Sequence, residues 1–429
     1  MTTRSTELLR VVHHRPGVTR ADAARLLGVG TGAATELVTK LSRASLLVQA
    51  PAAPSGSRGR PTTVLLPHPA GPLVLALAIT HEAWRIDLVE LGGATAASRS
   101  QRHATTGWDE VRASVTAAIS TILAEYGDRV RAVGVSVPGT VSRTLRLDAS
   151  TAGWHDVDLT SLWPEEATSH QGERPGAGVA QPDGRPGAGV AQPDGRPGAG
   201  VPRPDGRPGA GVPRPDGRPG AGVFVAGNDA TLAATAESRR GAAAGASVAL
   251  HLRIEAGLGG AVVEDGRPVI GARGAAGEFG HMPFGDPAIR CPCGASGCWG
   301  TAVDGTALAR LLNQPPPRDE VTYARRVIAA AARGDAAELT AVRAVGAALG
   351  RGIAGLVNGL DADLVTLGGL GVDLLATVPE AIQAAYRDGL MLIHREAPPP
   401  VLPATLGDDE GPIAGAAEEA WSALLPHLT

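Results

Sequence analysis

All three cysteines of this 429-residue chain fall within eight positions, Cys291-Pro-Cys293-Gly-Ala-Ser-Gly-Cys298, and His281 stands ten residues ahead of the first. Three thiolates and one imidazole are the donor set of a closed tetrahedral Zn2+ site. Such a site forces four positions onto one point, so the chain between them must fold back sharply. Gly294 and Gly297 permit that path. The competing reading is three buried free thiols, which are ordinary core residues. The dense C-x-C-x4-C spacing argues against it, and three cysteines cannot all pair as disulfides. With four protein donors no coordination position is left open, so a structural metal is expected. Its work would be to brace the loop that carries Glu278 and His281.

The charge is uneven along the chain. Residues 1–66 carry nine Arg or Lys against three acids, a net +6. The whole chain is at −4, so the remainder carries about −10. A basic block on an acidic body is the footprint of a phosphate-binding module joined to another domain. The block reads as three short helices. STELLRVVHHRP stops at Pro16. TRADAARLLG opens on Thr19 with Asp22 three residues on, a capping-box spacing, and closes on Gly28. The next stretch places Ala34, Leu37, Val38 and Leu41 at helical spacing. Helix, short glycine turn, helix is the helix-turn-helix pattern. SGSRGRPTTVLL then reads as a basic wing. A small helical dimerisation domain is the bland alternative. On the DNA-binding reading, Thr31 and Thr35 make single contacts from the recognition helix. Arg20, Lys40 and Arg43 meet phosphates, and Arg58 and Arg60 enter a narrow minor groove.

From residue 72 the texture changes. LVLALAIT and WRIDLVEL read as a strand pair, followed by a helix over 108–126 and the strand RAVGVSVPG. VFVAGNDA, VALHLRIE and LVTLGG are further short apolar strands with helical stretches between many of them, an α/β body. Residues 174–223 interrupt it with 11-residue copies of RPGAGVAQPDG and RPGAGVPRPDG. One Val per unit, with Pro-Gly and Asp-Gly breaks, cannot offset the entropy of ordering, so a disordered loop is expected there. The start of the chain lacks the uninterrupted apolar run of a leader, and no membrane span is expected. A cytoplasmic location is expected, and in a cytosolic chain clustered thiols favour metal over disulfide.

Together these segments resemble the ROK family of repressors and sugar kinases. GEFGHMPFGDPAIRCPCGASGCWG is similar to its zinc signature, VGVSVPG to the strand before its sugar site, and TAGWHDVDL to its Trp segment. FVAGNDATLAATAE is similar to its catalytic motif, DADLVTLGG to its nucleotide-end strand, and the helical head with SRGRPTTVLL to its repressor N-terminus. The resemblance implies an α/β chain: a winged helix-turn-helix over 1–68, then a two-lobed actin-like ATPase (ribonuclease H-like) domain over 72–429, interrupted at 170–222. It implies sugar contacts at Asn228, Asp229, Glu278 and His281, with Asp229 at the position of the base. The plain alternative for Asp229 is a helix N-cap.

The ATP half departs from the family. Its Asp-x-Gly-Gly-Thr turn is replaced by Ala78-Ile79-Thr80-His81-Glu82, and its Gly-Thr-Gly loop begins with Glu255. Glu82 and Glu255 are expected to repel a triphosphate. The sugar half departs at Thr151 and Gly300, where the family has Asn and Glu. The expectation is a dimeric or tetrameric repressor that binds an operator duplex and responds to a sugar or sugar phosphate. A sugar kinase with a DNA-binding head, and a constitutive DNA-binding protein, are the alternatives.

Overall fold

A computed structural model describes residues 3–52, 63–149, 152–164 and 222–429. Arg58, Arg60, Thr151 and nearly all of the repeat segment lie outside these residues.

The head is built from α1 (Arg4–His14), α2 (Arg20–Leu27), α3 (Thr31–Arg43) and the antiparallel pair β1 (Leu47–Pro51) and β2 (Thr63–Pro67). Local chemistry sets its boundaries. Thr19 caps α2 by accepting from the Asp22 amide at 3.0 Å and donating to the Asp22 carboxylate at 2.8 Å. Gly28 ends α2 in the left-handed region at φ 63°. Ala34, Val38 and Leu41 of α3 point inward, as their spacing requires.

The first body sheet contains β3 (Leu73–Ile79), β4 (Ala83–Glu90) and β5 (Thr95–Arg102). After α4 (Trp108–Tyr126) come β6 (Val130–Val137) and a small sheet of β7 (Thr140–Val141), β8 (Arg146–Ala149) and β9 (Trp154–Asp158). β10 (Val223–Asn228) returns to the first sheet, whose order is β10-β6-β3-β4-β5. α5 (Asp229–Arg240) crosses to the second sheet, made of β11 (Val248–Ile254), β12 (Leu258–Glu264) and β13 (Arg267–Pro268), then β14 and β15. The cysteine loop, α6 (Gly305–Leu311), α7 (Glu320–Ala332) and α8 (Ala336–Leu360) precede β14 (Leu364–Gly369). α9 (Leu370–Thr377), α10 (Pro379–Gly389), α11 (Leu392–Glu396), β15 (Val401–Pro403) and α12 (Glu410–Leu424) complete the chain. The second order is β13-β12-β11-β14-β15.

The two sheets repeat one plan. Each starts with an antiparallel meander, and its first strand then pairs in parallel with a later one: β3 with β6, β11 with β14. This duplicated α/β arrangement is the actin-like ATPase fold. Residues 258–260 open the strand β12, in which Leu258, Ala261 and Val263 are buried.

Each lobe has its own aliphatic core. A third apolar cluster joins the head to the body. It contains Leu8, Leu9 and Val12 of α1, Val74 and Ala76 of β3, and Trp421 and Leu424 of α12. By length and composition α8 is apolar enough to cross a membrane, but most of its apolar stretch is buried inside the protein, as in a core helix.

Candidate functional site

The cysteine loop folds onto itself. The Cys291 amide donates to Ala295 O at 2.8 Å, and the Gly294 amide to Cys291 O at 3.0 Å. The donor atoms of His281, Cys291, Cys293 and Cys298 all lie within 4.8 Å of one another. Cys293 Sγ and Cys298 Sγ are 3.6 Å apart, and Cys291 Sγ is 3.7 Å from His281 Nδ1. Zinc bonds of about 2.0–2.3 Å place tetrahedral donors about 3.5–3.8 Å apart, so the set fits such an ion. Charge points the same way. Burial and the neighbouring sulfurs push the Cys298 thiol up to about 12, while a backbone hydrogen bond at Ala295 brings Cys293 down. A cation among the donors would reverse the rise at Cys298, because a metal holds its cysteine ligands as thiolates. The protein therefore has a His/Cys3 cluster able to hold a metal ion.

The imidazole links this cluster to Glu278. With Nδ1 turned to the sulfur, His281 Nε2 lies 3.9 Å from Glu278 Oε2. The other Glu278 oxygen accepts from Thr140 Oγ1 at 3.4 Å, a contact across the cleft to the first lobe. The loop can reach there because Gly277 (φ +91°) lies against Gly260: a Cβ at Gly277 would stand 2.1 Å from the Gly260 carbonyl oxygen.

Asn228 and Asp229 stand at the β10–α5 junction, where Asn228 reaches Gly139, the residue before Thr140. The structure corrects the N-cap alternative for Asp229. The cap is Asn228, whose Oδ1 accepts from the Ala230 and Thr231 amides at 2.9 and 3.3 Å. Its Nδ2 donates to Gly139 O at 3.0 Å, pinning the end of β10 to the turn after β6. Asp229, half-buried, is the first residue of α5 and accepts from the Ala230 amide at 2.8 Å. Asp229, Glu278 and His281 are acceptors and donors suited to hydroxyl groups.

The β3–β4 turn is closed on itself. Thr80 Oγ1 accepts from the Glu82 and Ala83 amides at 3.3 and 3.1 Å, and Glu82 pairs with Arg102 at 2.8 Å. The Glu82 and Ala83 amides are thus occupied within the turn. Glu255 calls for a correction: it does not face the cleft as a lone charge, because Arg253 donates to it. Arg253 is buried, its charge is held on by Glu255, Asp229 and Asp408 against the cost of burial, and its Nε and Nη1 have no partner. Sequence reading missed this residue, since a charged position in an alternating strand reads as a solvent-facing one. A cavity of about 590 Å³ lies beside Gly369, with Arg325 bridging Asp408 at 2.7 Å and Asp373 at 3.9 Å on its wall.

In the head, Arg20, Thr31, Thr35 and Lys40 are all exposed. Thr31, Thr35 and Lys40 lie on α3, whose buried stripe faces away from them; the Thr35 hydroxyl donates to Thr31 O at 2.8 Å.

Residues 221–421 match the ROK family. The chain therefore carries a ROK-family domain. A glucokinase of Halalkalibacterium halodurans is 31% identical over 209 residues, 44% of this chain and 61% of that protein. The Escherichia coli protein named "DNA-binding transcriptional dual regulator NagC" is 30% identical over 151 residues, 33% of this chain and 37% of that protein. The chain thus spans about three-fifths, or less, of these relatives. A crystal structure of a ROK family transcriptional regulator, a homologue of the E. coli MLC protein, superposes with a TM-score of 0.69 at 21% identity, covering 99% of this chain and 96% of that one. That likeness shows the fold, head included.

Proposed function

We propose that this chain is a cytoplasmic DNA-binding transcriptional regulator, a repressor, whose body senses a sugar or sugar phosphate and whose His/Cys3 cluster holds a structural Zn2+. The observation that carries the reading is the closed β3–β4 turn: the protein keeps hydroxyl-binding groups in the cleft while Thr80 has taken the amides a phosphate would use. The similarity to NagC supports the DNA-binding half. In this reading, hydroxyls donate to Asp229 and Glu278 and accept from His281, while Asn228 fixes the helix start that aims Asp229. Zinc, held by His281, Cys291, Cys293 and Cys298, supplies fixed geometry to that loop. Closure of the lobes on the sugar alters the spacing of two heads in a homodimer or homotetramer, and so the fit to a two-site operator. Arg20, Thr31, Thr35 and Lys40 make the contacts to DNA, with Arg58 and Arg60 in the wing.

The test is titration of the full-length protein with a panel of hexoses and hexose phosphates, reading operator affinity, with zinc measured on the same sample. A sugar that shifts operator affinity, on protein with one zinc per chain, is the expected result. No shift with any of them overturns the sensing half. The second reading, a sugar kinase with a DNA-binding head, has the glycines of 257–260 and the cavity beside Gly369 in its favour. Sugar-dependent turnover of ATP would establish it.

A further inference from the structure

We propose that α5 couples the cleft to the DNA-binding head and that Arg240 is the positioning residue at its far end. The inference rests on the sugar-responsive reading above and assigns its route of regulation. The first residue of α5 is Asp229, at the proposed sugar site; its last is Arg240, about 16.5 Å away at 1.5 Å per residue. Between them the helix is buried from Ala230 to Ser238 and cannot fray. It touches α12 backbone to backbone: a Cβ on Gly415 would stand 1.9 Å from Leu232 O. A helix held this way moves as a rod, so a displacement at Asp229 appears at Arg240.

Arg240 ends in the seam between body and head. It donates to Gly92 O at 2.9 Å, to His13 O of α1 at 3.3 Å, and to Glu418 of α12. Gly93 (φ +89°) lies flat against its guanidinium, where a Cβ would come within 2.6 Å of Arg240 Cζ. His13 completes the seam. Its Nδ1 accepts from the Gly92 amide at 2.9 Å, which leaves Nε2 to donate to Glu418 at 3.2 Å. His13 and Glu418 are both 2% exposed, so water cannot replace a lost partner. Arg239 adds a second cation, 3.7 Å from Glu418 and 2.8 Å from Glu419. A buried charge network of this kind holds one arrangement or switches to another; it does not stretch. Movement of Arg240 therefore reorients α1, and α1 packs against α2 and α3.

The experiment compares wild type, Arg240→Gln and the isosteric Glu418→Gln, each full length and zinc-loaded. The probe duplex is one selected from random sequence by the wild-type protein, and the probe sugars are glucose and N-acetylglucosamine. Sugar binding is read by calorimetry and DNA binding by anisotropy, with and without sugar. Both variants are expected to bind sugar within about threefold of wild type, while the sugar-induced change in DNA affinity shrinks about tenfold or more. If either folded variant keeps the full response, the inference is overturned while the sensor reading stands. If the wild type itself binds neither sugar nor responds to one, the sensor reading falls and takes this inference with it.

Discussion

Two turns occupy equivalent places in the duplicated sheets, one between β3 and β4 and the other between β11 and β12, and they have been closed differently. The first is sealed by a hydroxyl: Thr80 accepts from the amides of Glu82 and Ala83. The second is closed by its own backbone, the Glu255 amide donating to Gly257 O at 2.8 Å, and Arg253 then neutralises the Glu255 side chain. Each turn also carries an ion pair, but Glu82 with Arg102 is exposed on the first, whereas Glu255 meets the buried Arg253 on the second. Both outcomes disfavour a triphosphate, but the second also leaves a buried guanidinium beside Asp229.

Four substitutions sharpen the contrast between the proposed hydroxyl-binding groups and the two closed turns. The largest effect is expected from Cys298→Ser. Zinc content should fall well below one per chain, and the melting temperature should drop by about 10 °C or more, read by elemental analysis and calorimetry. Asp229→Ala should weaken sugar binding by about 5- to 150-fold, the loss of one buried acceptor, with little change in melting. Titration calorimetry measures it. Glu255→Ala should destabilise the protein by about 1–3 kcal/mol by leaving Arg253 with a further unpaired donor, measured by urea unfolding. Thr80→Ala is the mildest, about 0.5–1.5 kcal/mol in the same assay. Neither of the last two should create ATP turnover with glucose; if Thr80→Ala did, the hydroxyl seal would be the whole barrier, and the contrast between the two turns would collapse.

Much of this was legible beforehand. Cys291, Cys293 and Cys298 announced their convergence because metal-ligand chemistry is written in local spacing. Thr19, Asp22 and Gly28 marked a helix start and stop because capping is a matter of adjacent residues. The features that were not legible depend on contacts between distant segments. Leu258–Glu264 is glycine-rich at its start and reads as a loop until β11 pairs with it. Arg253 becomes a buried ion only when α5 and the Asp408 segment close over β11. The assignment of the cap to Asn228 rather than Asp229 depended on one residue of register at the end of β10, which only the pairing with β6 fixes.

The apolar cluster shared by α1, β3 and α12 has a bearing on engineering. Heads of regulators are often treated as cassettes to be spliced onto new bodies. Here Leu8, Leu9 and Val12 belong to the same interior as Trp421, and the Thr6 hydroxyl meets that of Thr429 at 2.8 Å. A chimaera joined near residue 68 would therefore expose fat on both halves unless the last helix travels with the first.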